Sequence, residues 1–263
     1  MNLTSDHLQK LLGFPFRGPD WQTRLGIASL VALSGWVIPV IPWVLLMGYA
    51  VQIARRVAVE GHEPELLAWS DWSAFAVDGF RVLAVRLLAA APLLLIVGLA
   101  TSLPVGTSLG GALLIEAVGE AYRDLGAFIA GLGILTGIGL TLALIPISVI
   151  YGLVLPVPTM HVVVTGQIRA LFQVRAWSAL LRADLGAWAL GYLVLIGIGL
   201  VVNLALSFAT ATIVLCFVMP FVLIVYLTYS VLISEVVFAQ AYRSASLKLG
   251  LTPGAGAVTA PPP

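Results

Sequence analysis

The sequence is poor in charge. Only 10% of its 263 residues are Asp, Glu, Lys or Arg, and 60% are apolar, whereas soluble domains carry roughly 25% charged residues. A water-soluble fold of this length needs polar side chains over its outside, so lipid must replace water across most of the surface. Thirteen basic residues against twelve acidic ones leave a net charge of +1. No basic stripe could track phosphates, which argues against nucleic acid as a partner. Cysteine is almost missing: Cys216 is the single one, so no internal disulfide can form, and its apolar surroundings suit a small buried hydrophobe. The start, MNLTSDHLQKLLGFPFRGPDW, has Asp6 and Asp20 and lacks an apolar core of about 7–15 residues before a small-residue cleavage site. No cleavable signal peptide is expected, and targeting falls to the first apolar segment.

What is present is a series of long charge-free runs. Leu25 to Ala54 has no charge for 30 residues; as one straight helix it would measure ~45 Å against a hydrocarbon core of ~30 Å. Pro39 and Pro42 lie near its middle, and each removes a backbone donor. The run is therefore either a kinked crossing or a re-entrant hairpin with both ends on one face, each half being ~21 Å long. A second span is expected over Val82 to Leu103, with Arg81 and Arg86 snorkelling to the interface. Leu125 to Met160 is uncharged for 36 residues and Leu185 to Ser234 for 50, the latter long enough for two spans meeting near Ser207 to Thr212. The fold class this predicts is an all-α polytopic helical membrane protein of about five spans, with two amphipathic interfacial helices.

The joints between runs hold most of the polar residues. Residues 4–12 put Leu8, Leu11 and Leu12 on one face behind a Thr4 or Ser5 cap, and Phe14, Pro15, Phe16 and Trp21 mark an interfacial turn. After Arg55 and Arg56, Gly61 and Pro64 predict a turn. Ser70 or Asp71 can then cap a surface helix with Trp69, Trp72, Phe75 and Ala76 on its apolar face and Asp71 and Asp78 on its wet one. Residues 104–124 form an acidic joint, where Glu120 can pair with Arg123. Gln167 to Arg182 sets Leu171, Phe172, Val174, Trp177 and Leu181 against Arg169, Arg175 and Arg182, a second amphipathic joint. The domain reading is an interfacial segment 1–22, one transmembrane domain 23–251 and a disordered tail 252–263.

Two short matches hint at a repeat: Ile38-Pro39 with Ile145-Pro146, 107 apart, and Trp72-Ser73-Ala74 with Trp177-Ser178-Ala179, 105 apart. They would imply parallel two-span repeats plus an unpaired fifth span. If every run crosses, nine basic residues share one side against four; if the first run is re-entrant, the split is twelve against one. Either way both surface helices lie on the more basic, cytoplasmic side of the cell membrane.

Phe14-Pro15-Phe16 with Asp20-Trp21, Gly48-Tyr49 with Arg55-Arg56, and Trp69, Asp71-Trp72, Phe75 and Asp78-Gly79 resemble a family of multi-spanning bacterial and archaeal membrane proteins known only as a domain of unknown function. The resemblance covers roughly residues 14–243 and is sharpest in the first 80. Leu67-Ala68-Trp69 stands where the family often has Leu-Pro-Trp. The resemblance implies a fold and a membrane location, and carries over no catalytic residue.

Candidate sites follow from polar residues in apolar settings. Arg55, Arg56, Asp71, Asp78 and Arg81 could form a cytosolic charge cluster that locks the surface helix to the span ends. Trp69, Trp72 and Trp177 read as interface anchors. Glu235 and Asn203 are intramembrane polar residues; Glu235 is within sequence reach of Arg243, and Asn203 suits a bond to a neighbouring helix. His62 with Glu63 and Glu65 lacks the paired histidines or thiols of a transition-metal site. His161 suits a hydrogen-bonded joint residue. No metal or cofactor is expected.

Membrane lipid is the expected partner, and a protein partner or homo-oligomer stays open. No nucleophile motif or paired His and acid points to an enzyme. The reading is a non-enzymatic accessory or scaffold protein of the cytoplasmic membrane. The alternative is a small-solute transporter or channel built from the repeats, in which Asn203, Thr141, Ser148 or Glu235 would face a common cavity.

Overall fold

The computed structural model describes residues 5–118, 122–210 and 213–252, which form helices and no strand. Thr4, the Ser5 and Cys216 side chains, Glu120, part of the junction expected near residues 207–212 and the tail from residue 253 lie outside the described residues. The helices are α1 (Ser5–Leu12), α2 (Trp21–Ser34), α3 (Ile41–Arg55), α4 (Trp72–Val118), α5 (Arg123–Val154), α6 (Pro156–Thr165), α7 (Val174–Ala183), α8 (Leu185–Thr210) and α9 (Ile213–Lys248). Among the described residues four stretches are long and apolar enough to cross a membrane: Trp72–Ala117, Arg123–Thr165, Leu185–Phe208 and Val218–Lys248. The chain is an all-α polytopic membrane protein, with four such stretches where about five were expected.

The first apolar run accounts for the difference. It forms two helices of 14 and 15 residues, roughly 21 and 23 Å long, and neither alone reaches the length of the four stretches above. Between them Gly35, Trp36, Val37 and Ile38 close tight turns, and Pro39 has no amide hydrogen to continue the helix. Val40, at φ 78° and ψ −60°, then makes a γ-turn, in which the Ile41 amide donates to the Pro39 carbonyl at 3.1 Å. Pro42 sits in the first turn of α3, where a missing donor costs nothing. The two helices pack together through Ala28, Ala32 and Leu46.

The chain divides into two compact units, residues 1–86 with 156–263, and residues 87–155. The first is built around α9, which packs against α1, α2, α3, the π-helical turn Arg56–Glu60, α6, α7 and α8. Its apolar interior includes Leu46, Tyr49, Ile53, Phe75, Trp188, Leu232 and Ile233, all buried. The N-terminal segment belongs to this unit: Phe14 is buried, Phe16 stacks on Tyr229, and the Tyr229 hydroxyl donates to the Leu12 carbonyl at 3.0 Å.

The second unit holds the rest of α4 and α5. Gly111 and Gly126 leave room for each other's backbone, and Gly133 lies against Thr107 and Ser108, so the two helices meet at backbone distance. Pro92 and Pro104 lie within α4 and Pro146 within α5, and none ends its helix.

No separate surface helix precedes the second span, because Trp72 to Asp78 are the first turns of the 47-residue α4 itself. The acidic joint is likewise helical up to Val118. The repeat does not carry through to conformation. Pro39 lies in a turn and Pro146 inside a helix, while Trp72 opens α4 and Trp177 lies within α7.

Candidate functional site

Gly48 on α3 and Gly79 on α4 mark where two helices touch backbone to backbone. A Cβ on Gly48 would overlap the Phe75 carbonyl, and one on Gly79 would overlap the Val44 carbonyl. This approach sets Asp78 beside the end of α3. Arg55 donates in parallel to its two carboxylate oxygens, at 3.0 and 3.1 Å, and Arg81 donates at 2.7 Å. Gln52 Nε2 adds a bond at 3.3 Å, and Arg55 Nε reaches across to the Val163 carbonyl on α6 at 2.9 Å. Asp78 is buried, and these donors satisfy its carboxylate oxygens away from water.

Of the five residues proposed as a cluster, Arg55, Asp78 and Arg81 come together, and two do not. Arg56 is exposed. Asp71 caps α4 by accepting from the Ala74 amide at 3.0 Å and the Ser73 hydroxyl at 2.8 Å, and these bonds hold its carboxyl below the usual aspartate range. Gln52 was missed because a lone amide in an apolar run carries no partner information.

Glu235 is 1% exposed. Its partner is Arg86, which donates to Oε1, so Arg86 does not snorkel outward and Arg243 is not the counter-ion. Glu235 Oε2 is buried with no hydrogen-bond partner. Arg243 lies over Gly61, at φ 72°, and donates to the Ala58 and Val59 carbonyls at 3.5 and 3.4 Å. Asn203 is exposed on α8. Thr141 and Ser148 bond carbonyls of their own helix, and Thr141 lines an apolar cleft of about 450 Å³ in the second unit.

The tryptophans differ from one another. Trp69 is built into the fold: it stacks on Tyr49 with centroids 4.2 Å apart, meets Phe75 edge-on, and donates from Nε1 to the Arg24 carbonyl at 3.0 Å. Trp72 leans on Trp69 at 4.9 Å and stays 44% exposed. Trp177 bonds the Leu171 carbonyl at 3.1 Å. His161 shares a hydrogen bond through Nδ1 with the Tyr242 hydroxyl at 3.1 Å and one through Nε2 with Gln173 Oε1 at 3.2 Å.

Asp184, not singled out in the sequence, caps α8 through the Ala187 amide at 3.3 Å and holds Lys248 at 2.8 Å and the Ser244 hydroxyl at 2.5 Å. Burial pushes its carboxyl up, but Lys248, Ser244 and Ala187 together outweigh that and leave it below the ordinary value. A depressed folded-state pKa stabilises fully above the unfolded value of ~3.9, and the stabilisation is lost as pH falls through the folded value. Asp184→Asn keeps a capping oxygen but loses the charge that holds Lys248, and should cost about 1 kcal/mol at pH 7. The gap in apparent Tm between parent and variant should close as pH falls below about 4; a gap unchanged down to pH 3 would contradict this role.

Each buried carboxylate is thus matched to a cation from a distant part of the chain. That arrangement fastens helices to one another. Among the described residues no group of three or more His, Cys, Asp or Glu side chains is placed to hold a metal, and His62 pairs with Glu60 at 2.8 Å. A family model described as a protein of unknown function (DUF4013) matches residues 31–214. No curated protein and no solved structure matches the chain.

Proposed function

We propose, for a chain that belongs to the DUF4013 family of proteins of unknown function, a non-enzymatic scaffold role in the cytoplasmic membrane, with the α2–α3 hairpin as a wedge in one leaflet. The observation that carries this reading is where the two ends of the hairpin meet. Arg24, at the start of α2, donates to the Leu66 carbonyl, and the Arg24 carbonyl accepts from Trp69, in the loop that follows α3. Both ends therefore share one level, and helices of ~21–23 Å fall short of a ~30 Å core. At the tip Trp36, Val37, Ile38, Val40 and Ile41 are exposed, with Val37 at 84%. Such a tip suits acyl chains and is costly in water.

The charge distribution supports the orientation. Twelve of the thirteen basic residues belong to the unit containing the hairpin, and only Arg123 lies in the other. With four crossings, both chain ends fall on that basic side, which is cytoplasmic by the positive-inside rule. Ile168, Phe172 and Val174, exposed beside Arg169 and Arg175, suit an amphipathic segment on the same lipid surface. A hairpin that fills one leaflet without crossing the other favours a membrane-shaping or packing-sensing task. The transporter reading has less support, because Glu235 is sealed by Arg86 and Asn203 is exposed elsewhere.

Single cysteines in a Cys216→Ala background test the wedge. Gln9→Cys and Leu251→Cys, both at exposed positions, should react with an impermeant maleimide only from the cytoplasmic face, and Val37→Cys from neither face. Labelling of Gln9→Cys from outside intact cells would make the first segment a crossing and remove the wedge.

A further inference from the structure

A cavity of about 410 Å³ opens beside the loop after α3, wholly within the first unit. Three cations from three separate stretches line it: Lys10 of α1, Arg17 of the following turn and Arg243 of α9. The same cavity is lined by two carboxylates, Glu63 and Glu65, and by the apolar side chains of Phe14 and Leu247. The charges are little committed to one another. Lys10 and Glu63 are 3.7 Å apart with side chains 61% and 82% exposed, a contact that contributes little. Arg17 pairs with no carboxylate among the described residues. Arg243 spends only two long bonds on backbone carbonyls.

We infer that this cavity binds a zwitterionic headgroup carrying a phosphate and a primary ammonium, as in phosphatidylethanolamine. The phosphate lies among Lys10, Arg17 and Arg243, and the ammonium donates to Glu63 and Glu65. A purely anionic headgroup gains from the three cations but must approach the two carboxylates. A quaternary ammonium keeps its charge and has no hydrogen to donate. The apolar wall suits the glycerol and first methylenes of a lipid lying at the level of α1. This goes beyond the scaffold reading and rests only on its placing of the basic end at the lipid surface. Headgroup selectivity measured in micelles can fail while the hairpin topology stands, and the reverse.

The test is native mass spectrometry of the full chain in detergent micelles titrated with phosphatidylethanolamine, phosphatidylcholine or phosphatidylglycerol. Phosphatidylethanolamine should be retained about fivefold better than either of the others. Arg17→Gln should lower its retention by a similar factor. Glu63→Gln with Glu65→Gln should erase the preference over phosphatidylcholine and raise phosphatidylglycerol. All three positions are exposed, so the variants should elute and melt as the parent does. Competition by soluble O-phosphoethanolamine would show that the headgroup suffices, and retention despite it would assign the site to the intact lipid. Equal or better binding of phosphatidylglycerol by the parent, selectivity unmoved by the double variant, or no lipid retained would overturn the proposal.

Discussion

Gly79→Ala is expected to leave little folded protein in a detergent extract, although it adds one methyl group. The added carbon has nowhere to go, since the Val44 carbonyl and the Val44 side chain occupy its place. Backbone within a helix cannot swing aside as a flexible side chain can. Overpacked cores lose typically ~1–3 kcal/mol, and a clash with main chain belongs at or above the top of that range. Separating α3 from α4 would also pull Arg55 and Gln52 off Asp78. Gly98→Ala, on the same helix but with nothing within 4 Å of its added carbon, is the matched control. It should be neutral or stabilise by up to about 1 kcal/mol, because alanine is the better helix former. Monodispersity by size exclusion and apparent Tm read both; a Gly79→Ala protein that behaves like Gly98→Ala would refute the crossing.

Asp78→Ala should be nearly as damaging, for a different reason. Removing the carboxylate leaves Arg55 and Arg81 held side by side with like charge and no counter-ion. Breaking a buried pair by deleting one partner costs about 3–5 kcal/mol. The arginine side chains here keep 33% and 29% of their exposure, which points to roughly the lower figure, about 3 kcal/mol, because water still reaches them. Adding Arg55→Gln to Asp78→Asn should recover part of the loss by removing one uncompensated charge. Asp71→Ala, which only uncaps α4 at an exposed position, should lower the apparent Tm by much less than Asp78→Ala. If Asp71→Ala and Asp78→Ala lower the apparent Tm equally, the network has no special weight.

Charge-free run length made the helical membrane class legible, and Asp71 was legible as a cap because capping is local. Asp78 with Arg55 and Arg81 could be guessed, since 23 residues and a turn bring them to one interface. Other features depend on contacts that no window of sequence contains. Arg86 finds Glu235 across 149 positions, whereas the nearer Arg243 is drawn to two open carbonyls left by the π-helical turn. Thirty uncharged residues set the length of the first segment but not its path, and a turn at Val40, with a β-branched residue at positive φ, is among the least predictable from composition. Gly48 and Gly79 were visible as letters at the two ends of one stretch. Their meaning lies in each other, and a glycine inside a helical run is the one signal that could have raised the question. Trp69 was misjudged because an aromatic ring near a membrane surface satisfies the anchor pattern equally well when it is stacked inside the fold.

The position of α9 has a bearing on synthesis. The helix against which α1, α2, α3, α6, α7 and α8 all pack is the last of them to leave the ribosome. At ~5–20 residues per second, the first 86 residues wait on the order of ten seconds before residues 213–248 exist. Through that interval the α2–α3 hairpin and the charges of Arg55 and Asp78 must be held by lipid, by one another or by a chaperone. Glu235 reaches Arg86 only once α9 has been made, so their pairing is the later of the two buried closures around α4.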